Sequence, residues 1–191
     1  MALLQDGECI VARGGGDSRT ATATLPDVVR AVLSAGGIDA IAVTVGPGSF
    51  TGLRGALALA HGLALGAGGP VGGVTVAEAL RHEGVGDWPG EVWVALDSRR
   101  PGRVFLGRGE AMEATALDTL PLPDGPVLVL GDAAEPVAIA LRAAGADVRV
   151  SDVRCVSAAA VGRVGWRRLA GELAPCESQP LYVEAPAARL P

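Results

Sequence analysis

The stretch Thr44-Val45-Gly46-Pro47-Gly48-Ser49-Phe50-Thr51-Gly52-Leu53-Arg54 decides how this chain is read. The apolar run Ile38–Val45 enters it and an Ala/Leu-rich run, roughly Gly55 to Ala67, leaves it. A glycine-rich loop therefore joins a buried strand to a helix. Such a loop aims backbone N–H groups and the positive end of a helix dipole at an anion. It matches no specific phosphate pattern. Gly46, Gly48 and Gly52 give GxGxxxG, one residue off the dinucleotide fingerprint, and no GK[ST] follows. Nor is Ser49 centred between glycines as a nucleophile elbow requires. Two readings stay open. In one, Ser49 or Thr51 caps the helix, Pro47 fixes the turn and the glycines permit a tight bend. In the other, Gly46, Pro47, Gly48, Ser49, Phe50, Thr51 and Arg54 contact an anionic ligand.

The helix after the loop has a small residue at every fourth position, Gly52, Ala56, Ala60 and Ala64, flanked by Leu53, Leu57, Leu59 and Leu63. Small side chains let a second helix approach closely. Packing inside its own domain and docking of a partner helix both fit the pattern. The 23 residues between Arg54 and Glu78 carry no formal charge. Their helical part would be only about 20 Å long, and the glycines after Leu65 break the rest. A buried helix followed by a strand is expected rather than a membrane span.

Working outward, Met1–Gln5 and Cys9–Arg13 flank Asp6-Gly7, a hairpin signal. Leu25, Val28, Val29, Val32 and Leu33 follow helical spacing, with Thr24 as expected N-cap, Pro26 in the first turn and Gly36-Gly37 at the end. Val71–Val76 reads as a strand and Ala77–His82 as a short helix. After a break at Glu83–Gly90 come expected strands at Glu91–Asp97, Arg103–Leu106, Val127–Leu130 and Asp147–Val150. Helices are expected over Glu135–Ala144 and from a Ser157 cap to about Ala170. The tail from Pro175, with Pro180, Pro186 and Pro191, reads as an extended arm. The second half loosely echoes the first, which predicts two α/β lobes, 1–90 and 91–191.

Composition narrows the function. A chain of 191 residues buries about 70% of its unfolded surface, enough for a core without disulfides or metal. With 49% hydrophobic and 19% charged residues it is not a disordered chain. Alanine (34) and glycine (28) dominate while aromatics are 3%, so backbones pack closely and stacking platforms are scarce. All 16 basic residues are Arg, so no lysine chemistry is available. The net charge of −5 argues against unaided binding to a nucleic-acid backbone. Cys9, Cys155 and Cys176 lie far apart in no CxxC spacing, which predicts buried thiols in a reducing cytoplasm. The start MALLQDGE has no basic n-region or apolar h-region, so no signal peptide is expected.

The remaining candidates are weak. His61 and His82 stand alone, outside any metal-ligand spacing. Asp97 ends an expected buried strand but is followed by Ser98-Arg99-Arg100 instead of the glycine a phosphate loop wants, which favours a turn or ion-pair role. Arg154, Arg163, Arg167 and Arg168 form the strongest basic cluster and read as a solvated face. No Ser/His/Asp set, carboxylate pair or metal cluster can be nominated. No catalytic residue and no metal ligand are therefore assigned.

The run VTVGPGSFTGLRGALALAHGLALG closely resembles the signature of the TsaB (YeaZ) family of tRNA threonylcarbamoyladenosine biosynthesis. MALLQDGECIVAR resembles that family's second and third strands, and TLPDVVRAVLSAGG its first helix. VALDSRRPGRVFLGR resembles the strand pair opening its second lobe, and QPLYVEAPAARLP its C-terminal arm. The resemblance implies an α/β, ASKHA-type (actin/Hsp70-like) two-lobed fold without catalytic equipment. It implies a cytoplasmic, non-catalytic scaffold for a TsaD-like subunit, with a TsaE-like ATPase in the complex, a homodimer as a further state, and tRNA met only through the complex. No membrane partner is implied.

In that family the first helix is longer and holds the position of Pro26 inside it, which leaves a longer, kinked helix open beside the Thr24 cap. The family's first two helices pack against the partner. Here this puts the interface on roughly Thr20–Leu33 and Thr51–Leu65, with Leu25, Val29, Val32, Gly52, Leu53, Ala56, Leu57, Ala60 and Leu63 as candidate contacts. TsaD-type proteins carry an HxxxH pair on the first helix; the nearest position here is Thr20, and no His precedes His61. No cofactor is implied. A regulatory homodimer holding ATP or ADP at a subunit interface through Arg54 and the loop is the alternative, as is an ASKHA-type kinase or peptidase-like enzyme. The family also begins with a strand before the hairpin, so the resemblance implies that this central strand is missing here and the N-terminal lobe incomplete, through a misassigned start, a truncation or its loss in the subfamily.

Overall fold

The computed structural model describes residues 1–14 and 21–184, with the backbone alone over 21–24. Thr20 and the end of the arm, with Pro186 and Pro191, lie outside the described residues. The hairpin forms as its turn dictates. β1 (Ala2–Gln5) pairs antiparallel with β2 (Glu8–Ala12), with Gln5 opposite Glu8 and an irregularity between Leu3 and Leu4. Asp6 and Gly7 both adopt positive φ, 51° and 82°, the twist a two-residue hairpin needs.

The first helix, α1 (Ala21–Leu33), takes the longer of the two forms left open and starts before Thr24. Thr24 is inside it, not at its cap, and Pro26 is an interior residue. The ring removes the N–H that would reach the Thr22 carbonyl, so only one backbone bond is forgone. Then follow β3 (Ile41–Gly46), α2 (Phe50–Ala67) and β4 (Val71–Thr75). β3 and β4 pair in parallel, as a strand–helix–strand crossover requires. Val43 and Val45 face α2, packing with Leu57 and Ala60.

The second sheet is larger. After α3 (Val76–Gly84) come β5 (Glu91–Asp97), β6 (Arg103–Gly107), β7 (Glu113–Ala116), β8 (Val127–Leu130), α4 (Ala134–Ala143) and β9 (Val148–Val150). The strand order is β7-β6-β5-β8-β9. β5, β6 and β7 form an antiparallel meander, whereas β5–β8 and β8–β9 are parallel. The uninterrupted apolar run in β5 reflects cover on both faces. Trp93 and Ala95 pack with Val137 and Leu141 of α4, and Val94 and Leu96 with Ala77 and Leu80 of α3. β7 gave no sequence signal, because EATA is short and only weakly apolar.

The last helix, α5 (Ala158–Leu169), is capped by Ser157, whose hydroxyl accepts the Ala160 N–H at 3.0 Å. It returns to the first sheets and packs on β1, β2, β3 and β4. Gly162 lies against Leu4 and Gly165 against the Ala42 methyl, close approaches that leave no room for a side chain. Two units result, Met1–Thr75 with Ser157–Pro180, and Val76–Val156 with Leu181 onward. This differs from a division at residue 90. Side-chain burial on the sheets, not position along the chain, assigns α3 to the second unit and α5 to the first.

Candidate functional site

The signature loop is built around its helix cap. The Gly46–Pro47 peptide is cis and Gly46 has φ 123°. Ser49 is extended, and its hydroxyl accepts the Gly52 N–H at 3.0 Å while its carbonyl accepts from Leu53 N at 2.9 Å. Ser49 therefore serves the helix directly, satisfying one of the N–H groups that every helix start leaves over. The Arg54 guanidinium lies 3.8 Å from the centre of the Phe50 ring. Phe50 itself is 51% exposed, so this pair lies at the surface at the start of α2.

The two faces of α2 differ sharply. Leu53, Leu57, Ala60 and Ala64 are buried against the unit's own sheet. Outward lie Arg54, Gly55, Ala58, Gly62, Leu65 and Gly66, with Leu65 87% exposed. Gly52 is exposed, Ala56 and Leu63 half-buried. The candidate contacts Leu53, Leu57 and Ala60 thus belong to the core and do not form a docking face. The reason is geometric. At about 100° per residue a stripe at every fourth position advances about 40° per step, so it starts outside at Gly52 and winds into the core by Ala60. On α1, Val32 is likewise buried, Leu25 and Val29 are half-buried, and Leu33 reaches the surface.

Elsewhere the structure ties down the charges. Asp97 builds its turn, accepting the Arg99 N–H at 2.8 Å, while its own N–H donates to Asp132 at 2.8 Å. Arg100 and Arg103 meet on Glu184 at 3.0 and 3.4 Å. A cavity of about 390 Å³ opens beside them, lined by Asp97, Arg100, Arg103, Leu117 and Asp132. A second, of about 500 Å³, is lined by Asp87, Trp88, Arg149 and Asp152.

The C-terminal arginine cluster is more than a solvated face. Arg154 pairs with Glu135 and Arg167 with Glu172, but Arg168 donates to the Ala174 carbonyl at 2.6 Å and the Gly73 carbonyl at 2.7 Å. Half-buried Arg81 donates to the Gly107 carbonyl at 3.0 Å, and its desolvation holds its pKa below the usual guanidinium value. No sequence signal marks these two, because each serves a carbonyl distant in the chain, Gly73 for Arg168 and Gly107 for Arg81.

His61 Nε2 lies 3.2 Å from the Ser178 hydroxyl. Among the described residues no group of three or more His, Cys, Asp or Glu side chains is placed to hold a metal. The cysteines are free, and Cys155 is exposed, contrary to the expectation of three buried thiols. No helix among the described residues is long and apolar enough to cross a membrane.

Two α/β units, each with a parallel strand pair crossed over by a helix and flanked by a further one, define an ASKHA-type protein. The sequence model of the tRNA N6-adenosine threonylcarbamoyltransferase (TsaD) family matches residues 21–120, and the chain belongs to this family. Two solved structures share the fold. One is a Pseudomonas aeruginosa protein with similarity to peptidase YeaZ, 22% identical, covering 96% of this chain and 93% of its own, at a TM-score of 0.75. The other is YeaZ from Pseudomonas aeruginosa, 21% identical, covering 94% and 93%, at 0.71. The TsaB (YeaZ) resemblance carried by the signature loop is thereby borne out. No curated protein matches the chain.

Proposed function

We propose that this member of the threonylcarbamoyladenosine family is an accessory subunit without a catalytic centre of its own. It would hold a TsaD-like transferase subunit on the outward face of α2 and the exposed face of α1. The observation that carries this reading is the composition of that face. Over the 18 residues of α2 the exposed positions include Gly55, Ala58, Gly62, Leu65 and Gly66 beside the polar Thr51 and His61, with formal charge only at Arg54. Such a surface suits close helix-on-helix packing better than solvation, because there are few side chains to hydrate and little rotamer entropy to lose. A TsaE-like ATPase and tRNA would join through that complex, in the cytoplasm. A homodimer through the same face would compete with the heterodimer.

The test is co-purification with the TsaD-like protein of the same organism, with light scattering for stoichiometry. The wild-type chain is expected to form a 1:1 complex, and Leu65→Glu to abolish it while leaving the thermal midpoint unchanged. A complex indifferent to Leu65→Glu removes the α2 face from the interface; no complex at all removes the scaffold role. ATP or ADP binding that depends on Arg54 would favour the regulatory homodimer instead.

A further inference from the structure

The two cavities of the second unit differ in what their charges do. Around the cavity of about 390 Å³ the charges are engaged within the chain. Asp97 accepts the Arg99 N–H, Asp132 accepts the Asp97 N–H, and Arg100 and Arg103 share Glu184. The cavity of about 500 Å³ lies wholly within the second unit and is different. Its Asp87, Arg149 and Asp152 are exposed, and among the described residues none of the three makes an ion pair or a side-chain hydrogen bond. Carboxylates and a guanidinium thus line one cavity without approaching each other to 4.0 Å.

The local sequence builds this arrangement. α3 ends at Gly84, and a turn follows in which Val85 N–H donates to the Arg81 carbonyl at 3.3 Å and Trp88 N–H to the Val85 carbonyl at 3.2 Å. The indole N–H of Trp88 donates to the Glu91 carbonyl at 2.9 Å, which fixes the ring. The ring packs in one cluster with Leu128, on the face of the sheet that α3 covers. Leu128 stands opposite Arg149 in the β8–β9 register, so Arg149 projects from that same face. α3 packs on β5 and β8, whereas α4 packs on β9 from the opposite face. The space left over β9 is walled by the Trp88 turn and by Ser151 and Asp152.

The polar groups here stand ready for a ligand. The Arg149 guanidinium is 5.9 Å from the centre of the Trp88 ring, at the outer limit of about 6 Å for a cation–π contact. It neighbours the ring without sealing it. The Ser151 hydroxyl accepts the Val153 N–H at 3.1 Å and keeps its own proton to donate.

We propose that this cavity binds a zwitterion with a flat apolar body, of which an aromatic amino acid is the simplest. Its carboxylate meets Arg149, its ammonium meets Asp87 and Asp152, and its ring lies against Trp88 and Leu128. A simple cation would face the repulsion of Arg149, and a simple anion that of two carboxylates. A dipolar ligand answers both signs at once. The cavity's volume falls in the range of small-molecule sites, about 300–1,000 Å³.

The probe is L-phenylalanine, titrated calorimetrically into the full chain. Beside it are phenylethylamine, which lacks the carboxylate, and 3-phenylpropionate, which lacks the ammonium. L-phenylalanine is expected to bind saturably and at least about tenfold more tightly than either analogue. Arg149→Ala should lower its affinity to that of phenylethylamine without weakening phenylethylamine itself. Replacing both carboxylates, Asp87→Asn with Asp152→Asn, should lower it to that of 3-phenylpropionate. All three side chains are exposed, so the thermal midpoint should stay in place. Three results would overturn the proposal. One is no saturable binding of L-phenylalanine. A second is either analogue binding as tightly. The last is L-phenylalanine binding that is indifferent to Arg149→Ala.

Discussion

Ser49 carries the chemistry of the signature loop as a helix cap. Its hydroxyl takes the Gly52 N–H and its carbonyl takes Leu53 N–H, so the residue closes the first turn twice. Ser49→Ala is expected to cost about 1 kcal/mol, read as a lower urea midpoint at unchanged slope. A variant as stable as wild type would mean the cap is dispensable and the hydroxyl is kept for another purpose. The cap was legible in the sequence, because Ser followed by a helical run is a local signal. Arg168 was not. Its two carbonyl acceptors, at Ala174 and Gly73, include one 95 positions away, and nothing in the arginine cluster distinguishes it from Arg167, which makes an exposed ion pair with Glu172.

For elements, the lesson lies in the small-residue stripe of α2. Composition says that a helix approaches closely; it does not say from which side. Ala60 packs against Val43 and Val45, while Ala58, two positions earlier, faces solvent. Ala60→Leu is therefore expected to overpack the core and lower stability by about 1–3 kcal/mol. Ala58→Leu should stay within about 0.5 kcal/mol yet weaken partner binding. Chemical denaturation of the two variants checks this, and equal destabilisation would show that both positions are core. β7 escaped the sequence, and the start of α1 stayed open between the Thr24 cap and a longer helix, for a related reason. Four weakly apolar residues have no period of their own, and a proline near a helix start reads as the first turn whether or not another turn precedes it.

The whole molecule is organised by chain crossings. The chain leaves the first unit after Thr75 and returns to it at Ser157, bringing the helix that covers β1 to β4. A fragment of residues 76–156 contains the complete five-stranded sheet with α3 and α4, lacking only the arm whose Glu184 pairs with Arg100 and Arg103 at the surface. Exposed pairs contribute little, so this fragment is expected to fold alone with a dispersed amide spectrum. Residues 1–75 lack Val161, Val164 and Gly165 of α5 and are expected to remain unfolded. A folded 1–75 fragment would show that the hairpin and the β3–β4 pair are self-sufficient.

Local sequence was enough for the order and type of most elements, the capped loop into α2, and the family. All of these rest on local spacing, where side chains a few residues apart fix dihedral angles and periodicity. Tertiary packing settled which unit owns α3 and α5, which face of α2 is left outward, and that β1–β2 and β3–β4 form separate pairs among the described residues. These depend on contacts between residues about a hundred positions apart or more, such as Gly165 on Ala42 and Arg168 on Gly73. No local pattern encodes such contacts, because burial is settled only when the sheets and helices compete for the same apolar surface.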